Sequence, residues 1–197
     1  MTQTIKTKFA FGAFALAAIV TLGVSVFSSA FAATDSTTGE VEVTVAEVLT
    51  IELSESTVYL DANAAVNDGL AQENTQVTVG TNNAAGAGLY VEMNSNMASN
   101  YLPGDTVPSN TIAATTPGAN LSNNSWGYKA FQSTPSSTWS AMNSYGTPAL
   151  IFDDSTIGAG MNAPGETTWT FEFGVQIDYT MPADTYSGTI LYTATTN

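Results

Sequence analysis

The stretch TTWTFEFGVQIDYT, residues 167–180, has the most regular pattern in the chain. Its apolar side chains share one parity: Trp169, Phe171, Phe173, Val175, Ile177 and Tyr179. The opposite parity is polar: Thr170, Glu172, Gln176 and Asp178. Successive side chains of a strand point to opposite faces, so this alternation predicts a strand with one face in a core. We expect Trp169, Phe171 and Phe173 to face inward.

Shorter segments with the same two-residue period occur along the rest of the chain. They are residues 39–53 (one long strand, or two with a bend near Ala46), 57–61, 75–80, 88–94, 126–131, 148–154 and 186–197, with a short extra strand at 111–113. The gaps are rich in Gly, Asn, Ser, Thr and Pro, which are turn residues. This pattern predicts an all-β, antiparallel β-sandwich with two long loops, residues 94–125 and 132–147.

The C-terminal segment TYSGTILYTATTN, residues 185–197, alternates almost to its last residue. We expect it to be a structural strand and not a tail. Because short connections usually join neighbours in sequence, the simplest partner is the strand at 168–179. Pairing with the N-terminal strand around residues 41–53, in the opposite sheet, is the alternative.

The first 32 residues have the features of a secretory signal peptide. Lys6 and Lys8 precede an uncharged apolar run at residues 9–27, and Ala30 and Ala32 occupy the positions that a signal peptidase prefers. We predict cleavage after Ala32, which leaves residues 33–197 as a single β-sandwich domain without a membrane span. An uncleaved membrane anchor is the alternative. The predicted location is secreted, either extracellular or on the cell surface.

The charge of the chain excludes several classes of partner. It has 17 acidic residues against three basic ones, and its formal net charge is −14. Only one basic residue, Lys129, lies beyond the predicted signal peptide. Such a chain repels the phosphates of nucleic acids and anionic lipid surfaces. We therefore predict neither nucleic-acid binding nor binding to an anionic membrane.

The chain offers few groups for catalysis, since it contains no cysteine and no histidine. Ser125 precedes Lys129 by four residues, so the Ser-x-x-Lys pattern is not met. The adjacent carboxylates Asp153 and Asp154 would point to opposite faces of a strand. Lys129 is compatible with an isopeptide cross-link, but its parity favours an outward position. We predict no catalytic residues, no cofactor and no enzymatic activity.

A weak calcium site is a further hypothesis, because calcium prefers oxygen ligands. The candidates are Asp61, Asn63 and Asp68 in one group and Asp153 and Asp154 in another. Neither group has the spacing of an EF-hand loop. Asx turns would explain the first group without a metal ion, and the end of a strand would explain the second.

Carbohydrate binding is the strongest ligand hypothesis that the residues support. Tyr101, Trp139 and Tyr145 lie in the two long polar loops, where exposed rings could stack on sugar faces. The alternative is that these rings pack over the ends of the sandwich, and we favour it for loop aromatics in general.

Three stretches, residues 81–96, 121–131 and 173–197, resemble a family of exported β-sandwich surface proteins from ultrasmall candidate-phylum bacteria. That family is distantly similar to WxL-type cell-wall domains, which share a Pro-Ala-x-Thr-Tyr-x-Gly-x-Ile/Leu pattern with residues 182–190. The resemblance implies an immunoglobulin-like sandwich, a surface location and a structural or adhesive role.

We therefore predict a secreted cell-surface structural or interaction protein, such as a coat or envelope-associated sandwich, without catalysis. Its partners would be further copies of itself or a glycan of the cell envelope. The alternative is a carbohydrate-binding or adhesive module that uses the loop aromatics.

Overall fold

The alternating segments form strands in the computed structural model, which describes residues 42–97, 99–154 and 165–197. Within these ranges the strands are β1 (Leu49–Leu53), β2 (Leu70–Thr81), β3 (Ala87–Met93), β4 (Leu102–Pro103), β5 (Thr111–Ala114), β6 (Ser125–Phe131), β7 (Ala149–Asp154), β8 (Gly165–Gln176) and β9 (Ile190–Thr196). A short 3₁₀ turn, Asn67–Gly69, precedes β2. None of the described segments is a helix that is long and apolar enough to cross a membrane. The predicted signal peptide lies outside the described residues.

The strands form two sheets of unequal size. One has six strands in the order β1-β2-β8-β6-β5-β4, and the other has three in the order β7-β3-β9. All pairings are antiparallel except that of β5 with β6, which is parallel over two residue pairs. The predicted all-β, immunoglobulin-like sandwich is confirmed, and β5 is an exception to its antiparallel pattern.

The core lies between the two sheets. Phe171, Phe173 and Val175 of β8 are buried, and so are Leu89 and Val91 of β3. Two aromatic contacts join the sheets. The ring of Phe171 meets the ring of Tyr192 of β9 edge-on, with 5.1 Å between the ring centroids. The ring of Trp169 stacks on that of Phe152 of β7, with 5.5 Å between the ring centroids. The inward parity predicted for β8 is therefore correct through Val175. Tyr179 is exposed, because β8 ends at Gln176 before that residue.

Two predicted strands near the N-terminal end are wrong in part. Only Leu49–Leu53 of the segment 39–53 forms a strand among its described residues, and residues 42–48 belong to no sheet. Residues 57–61 are not a strand either. After the last sheet bond, from the Ser54 amide to the Gln76 carbonyl at 2.9 Å, the chain leaves β2, so residues 57–61 have no strand to pair with.

The C-terminal segment is a structural strand, but both predicted partners are wrong. β9 pairs with β3, from Ile190 opposite Met93 to Thr196 opposite Ala87. The two edges of β8 are already occupied by β2 and β6, so β8 cannot accept it. The N-terminal strand β1 lies next to β9 but hydrogen-bonds to β2 instead.

Candidate functional site

The outer edge of β9 and the neighbouring strand β1 form an unusual surface. The ladder bonds of β9 among the described residues all go to β3, so its other edge is free. On β1, the side chains of Leu49, Ile51 and Leu53 are 37%, 39% and 44% exposed. They lie opposite Thr81, Val79 and Val77, which are fully buried, so they are on the core side of the sheet. The three-stranded sheet ends at β9, and no further strand of the described residues covers this apolar row.

A groove with a volume of about 980 Å³ continues from this row. Residues from two segments, 53–64 and 177–192, line it, together with the core side chains of Trp126, Phe173 and Val175. Ile190 and Tyr192 at the start of β9 also contribute. The groove therefore lies beside the free edge of β9 and opens onto the sandwich core.

The first lining segment, residues 55–64, has the side-chain pattern of a strand without the hydrogen bonds of one. Val58, Leu60 and Ala62 are partly buried against the core, whereas Tyr59 is 83% exposed. Within the part of the chain that the structure describes, the backbone of residues 56–62 makes no hydrogen bond to a sheet. A segment that belongs to no sheet therefore lines the same groove as Ile190 and Tyr192 of β9.

Acidic groups surround the groove, and hydrogen bonds hold two of them in place. Hydrogen bonds from the side chains of Thr180 and Asn124 lower the pKa of Asp178. Desolvation opposes ionisation of Asp184, but the amides of Val107 and Thr106 outweigh it and lower the pKa of this carboxyl. Both carboxylates therefore remain ionised at neutral pH, which disfavours an anionic ligand.

Burial also acts on the tyrosine that lies between the groove and the core. Desolvation raises the pKa of Tyr192 far above its usual range, so the phenol stays neutral. Tyr192 therefore contributes an uncharged surface to the groove, in contrast to the ionised carboxylates around it.

The ring of Trp139 is buried, so the prediction that it could stack on a sugar is wrong. Only 3% of the residue is exposed. The Nζ atom of Lys129 lies 4.1 Å from the ring centroid and forms an ion pair of 2.8 Å with Glu172. A side chain at Gly174 would collide with the ring. The loop at 132–147 is thus fastened to the outer face of the six-stranded sheet.

Sequence reasoning missed this contact, although a signal was present. Gly174 interrupts an otherwise bulky strand, and a glycine inside a strand often marks the close approach of another group. Glu172 belongs to the polar parity of β8, which is typical of a solvated face, but its side chain pairs with Lys129 and is only 18% exposed.

The other two loop aromatics differ in exposure. Tyr145 is 54% exposed, and Tyr101 is half-buried. The two loops are tied together, since the Asn100 side chain donates a hydrogen bond of 3.1 Å to the Met142 carbonyl. The buried carboxylate of Glu92 accepts hydrogen bonds from the amides of Gly146, at 2.6 Å, and Thr147, at 3.1 Å. This anchor holds the turn that presents Tyr145.

The calcium hypothesis gains no support from the arrangement of its candidate residues. Within the described ranges no three acidic side chains lie close enough to hold a metal ion. The Asn63 side chain accepts a bond from the Ala65 amide, as in an Asx turn, and Asp153 accepts one from Asn197. Asp68 has a left-handed backbone with φ 53° in the turn before β2. The sites at Asp61, Asn63 and Asp68 and at Asp153 and Asp154 stay predictions.

No family model and no curated protein matches this chain. Among solved structures, the chain is similar to the CooA pilin subunit from enterotoxigenic Escherichia coli, with 16% sequence identity and a TM-score of 0.42. The match covers 75% of this chain and 90% of that chain. The resemblance to exported surface proteins of candidate-phylum bacteria stays a prediction.

Proposed function

We propose that the protein is exported and serves as a structural subunit at the cell surface, without catalysis, by associating with copies of itself. The observation that carries this proposal is the free edge of β9 beside the exposed apolar row Leu49, Ile51 and Leu53. Proteins normally cover or charge such edges, because an open edge next to apolar surface pairs with other chains. An edge that is left open in an exported protein favours a role in assembly.

The composition of the chain supports the same role. An acidic chain without histidine or cysteine has the solubility of an exported protein and lacks the usual catalytic groups. The predicted signal peptide and the resemblance to envelope-associated families support a surface location. The partner that covers the free edge of β9 and the apolar row would then be another copy of the chain or another component of the envelope.

Light scattering after size-exclusion chromatography of the processed chain tests this proposal. We expect species larger than a monomer, with a share that rises with protein concentration. Ile51→Lys should reduce that share, because it places a charge in the apolar row. Glu52→Lys is the matched control, since residue 52 lies on the opposite face of the same strand. A strictly monomeric protein at all concentrations would contradict self-association.

A carbohydrate-binding or adhesive module is the second candidate. The exposed ring of Tyr145, on a turn anchored by Glu92, favours it. In a glycan-binding assay, Tyr145→Ala should abolish binding, and Tyr59→Ala should not, because Tyr59 is exposed but lies outside both loops. Equal binding by both variants would exclude this use of Tyr145.

A further inference from the structure

We infer that the free edge of β9 pairs antiparallel with the same edge of a second copy of the chain, about a twofold axis at Thr193. This inference rests on the proposed function and names the contact through which two copies associate. The two three-stranded sheets would join into one continuous sheet, which is strand addition between copies.

The hydrogen bonds of β9 to β3 show which of its backbone groups are free. The Asn94 amide donates to the Thr189 carbonyl at 2.8 Å, and the Asn197 amide donates to the Gly86 carbonyl at 3.3 Å. In an antiparallel pair, only every second residue turns its amide and carbonyl toward the partner strand. With the observed register, the odd-numbered residues of β9 face β3. The groups that point to the free edge are therefore those of residues 190, 192, 194 and 196, and no described segment bonds to them.

These free groups are self-complementary. If Thr193 lies opposite Thr193 of the second copy, residue 190 lies opposite residue 196, and residue 192 lies opposite residue 194. Each pair then joins two residues whose amides and carbonyls point to the edge, as the antiparallel hydrogen-bond pattern requires. A register centred on Tyr192 or on Ala194 would leave one end of the free edge without a partner. The twofold axis at Thr193 therefore uses every free group from Ile190 to Thr196.

The same pairing would cover the apolar row of β1. Tyr192 points to the core, because its ring meets that of Phe171 edge-on, and Ile190 and Ala194 share its parity. These side chains of the second copy would continue the inner face of the smaller sheet beyond β9. The apolar row is exposed at that position, since β1 is the edge strand of the larger sheet and lies next to β9. Pairing would therefore bury apolar surface as well as satisfy backbone groups.

The absence of charge from this edge favours a second copy over a basic partner. Residues 185–197 contain no acidic and no basic side chain, although the whole chain has 17 acidic residues against three basic ones. On β1, Glu52 lies on the face opposite to the apolar row. Two acidic copies can therefore approach here without opposing their carboxylates, whereas a basic partner would find no carboxylate on β9 to pair with.

The net charge of the two copies makes the contact sensitive to salt. Each chain has a formal net charge of −14, so two copies repel each other over distance. Salt screens this repulsion, and the contact itself needs no ion pair. The share of dimer should therefore rise as ionic strength increases from about 50 mM to about 500 mM, the opposite of a contact held by ion pairs.

The symmetry of the contact limits the size of the assembly. Both copies use the same surface, so the contact is isologous and closes at two copies. On its own it produces dimers, and any larger assembly needs a second surface.

Cysteine cross-linking of the processed chain tests the inference, since the natural chain has no cysteine. Thr193→Cys places one thiol at the proposed twofold axis. Opposed residues of an antiparallel pair that are not hydrogen-bonded to each other have Cα atoms about 4.5 Å apart, which is within the range of a disulfide. Thr195→Cys is the matched control, because Thr195 is also exposed on the same face of β9. In the proposed register it lies about 13 Å along the strands from Thr195 of the second copy.

Under mild oxidation, we expect Thr193→Cys to form a disulfide-linked dimer with a yield several times that of Thr195→Cys. Non-reducing electrophoresis measures the yield. Mixing Thr195→Cys with Leu191→Cys should restore the cross-link, because these two positions lie opposite each other in the proposed register.

Two further changes in the Thr193→Cys protein test the hydrogen bonds and the apolar row separately. Ala194→Pro removes an amide that points to the free edge and no bond to β3, and an edge strand tolerates proline at such a position. Ile51→Lys places a charge in the apolar row, and Glu52→Lys is its control. The first two changes should lower the yield several-fold, and Glu52→Lys should not lower it. If thermal unfolding shows that the Ala194→Pro protein does not fold, Ile51→Lys decides.

The inference fails if Thr195→Cys cross-links with itself as well as Thr193→Cys does, because the two copies then have no fixed register. It also fails if light scattering shows oligomers while Thr193→Cys cross-links no better than its control. The copies then associate elsewhere, and only the proposed self-association stands. A chain that stays monomeric at all concentrations and ionic strengths would contradict both.

Discussion

Phe171 and Gly174 lie three positions apart on β8 and stabilise the fold on opposite faces of it. The ring of Phe171 is fully buried and meets Tyr128 at 5.9 Å and Tyr192 at 5.1 Å, so it joins the strands of both sheets. Gly174 instead leaves space on the outer face for Trp139. The same strand therefore holds the two sheets together and fastens a loop.

Replacement of Phe171 by Ala should destabilise the protein by about 3–5 kcal/mol, because it removes a buried ring and leaves a cavity between the sheets. Urea unfolding measures this change. Tyr179→Ala is the control: Tyr179 is 81% exposed, so its loss should change stability by less than about 0.5 kcal/mol. A loss below about 1 kcal/mol for Phe171→Ala would contradict its place in the core.

Replacement of Gly174 by Ala should push Trp139 off the sheet. The added methyl group would occupy the position of the ring, and the expected cost is about 1–3 kcal/mol. Quenching of tryptophan fluorescence by acrylamide should increase as the ring becomes accessible. Gly118→Ala is the matched control, since a methyl group there makes only ordinary contacts. Unchanged quenching in the Gly174 variant would contradict the packing of Trp139 on this strand.

At the scale of elements, β9 is both a structural strand and an edge. It pairs with β3 over its full length, and its Tyr192 covers Phe171. β1 contributes its apolar row to the same side of the sandwich. Residues 55–64, which join no sheet, line the groove together with Leu53 of β1 and Ile190 and Tyr192 of β9.

Deletion of residues 186–197 should abolish the cooperative unfolding transition. It removes one of three strands in the smaller sheet and exposes the inner face of β8 to water. Calorimetry measures the transition, and deletion of Asn197 alone, which lies beyond β9, is the control. If the truncated protein melts like the parent but no longer associates, β9 serves attachment and is not needed for folding.

At the scale of the whole molecule, the charge of the chain is divided unevenly about the predicted cleavage site. Every acidic residue follows position 32, whereas two of the three basic residues precede it. Cleavage would therefore release a strongly acidic chain.

Sequencing of the mature protein should begin at Ala33 or within a residue or two of it. The small residues at positions 30 and 32 fit the signal peptidase, which is the physical basis of this expectation. Mass spectrometry of the protein from culture medium and from membrane fractions provides the measurement. Detection of Met1 in the membrane fraction would contradict secretion and would indicate that the N-terminal segment is kept as a membrane anchor.

The sequence by itself determined the elements that depend on near neighbours. The two-residue period of residues 167–180 places Phe171 and Phe173 on the inner face of β8, and the structure confirms both. The same local rule located β3, β6 and β7 to within one residue at each end, but it found only residues 75–80 of β2, which begins at Leu70. It works because the alternation of side chains is a property of each strand alone. It failed at residues 57–61, where the alternation is present but the neighbouring edge is not.

Tertiary structure decided the features that depend on distant parts of the chain. The pairing of β9 with β3 follows from the occupied edges of β8, and the burial of Trp139 follows from the space at Gly174. The groove needs residues 53–64 and 177–192 to meet across the core. No local sequence pattern fully determines these contacts. Strand edges and packing space are filled by segments that are distant in sequence and meet only when the chain folds.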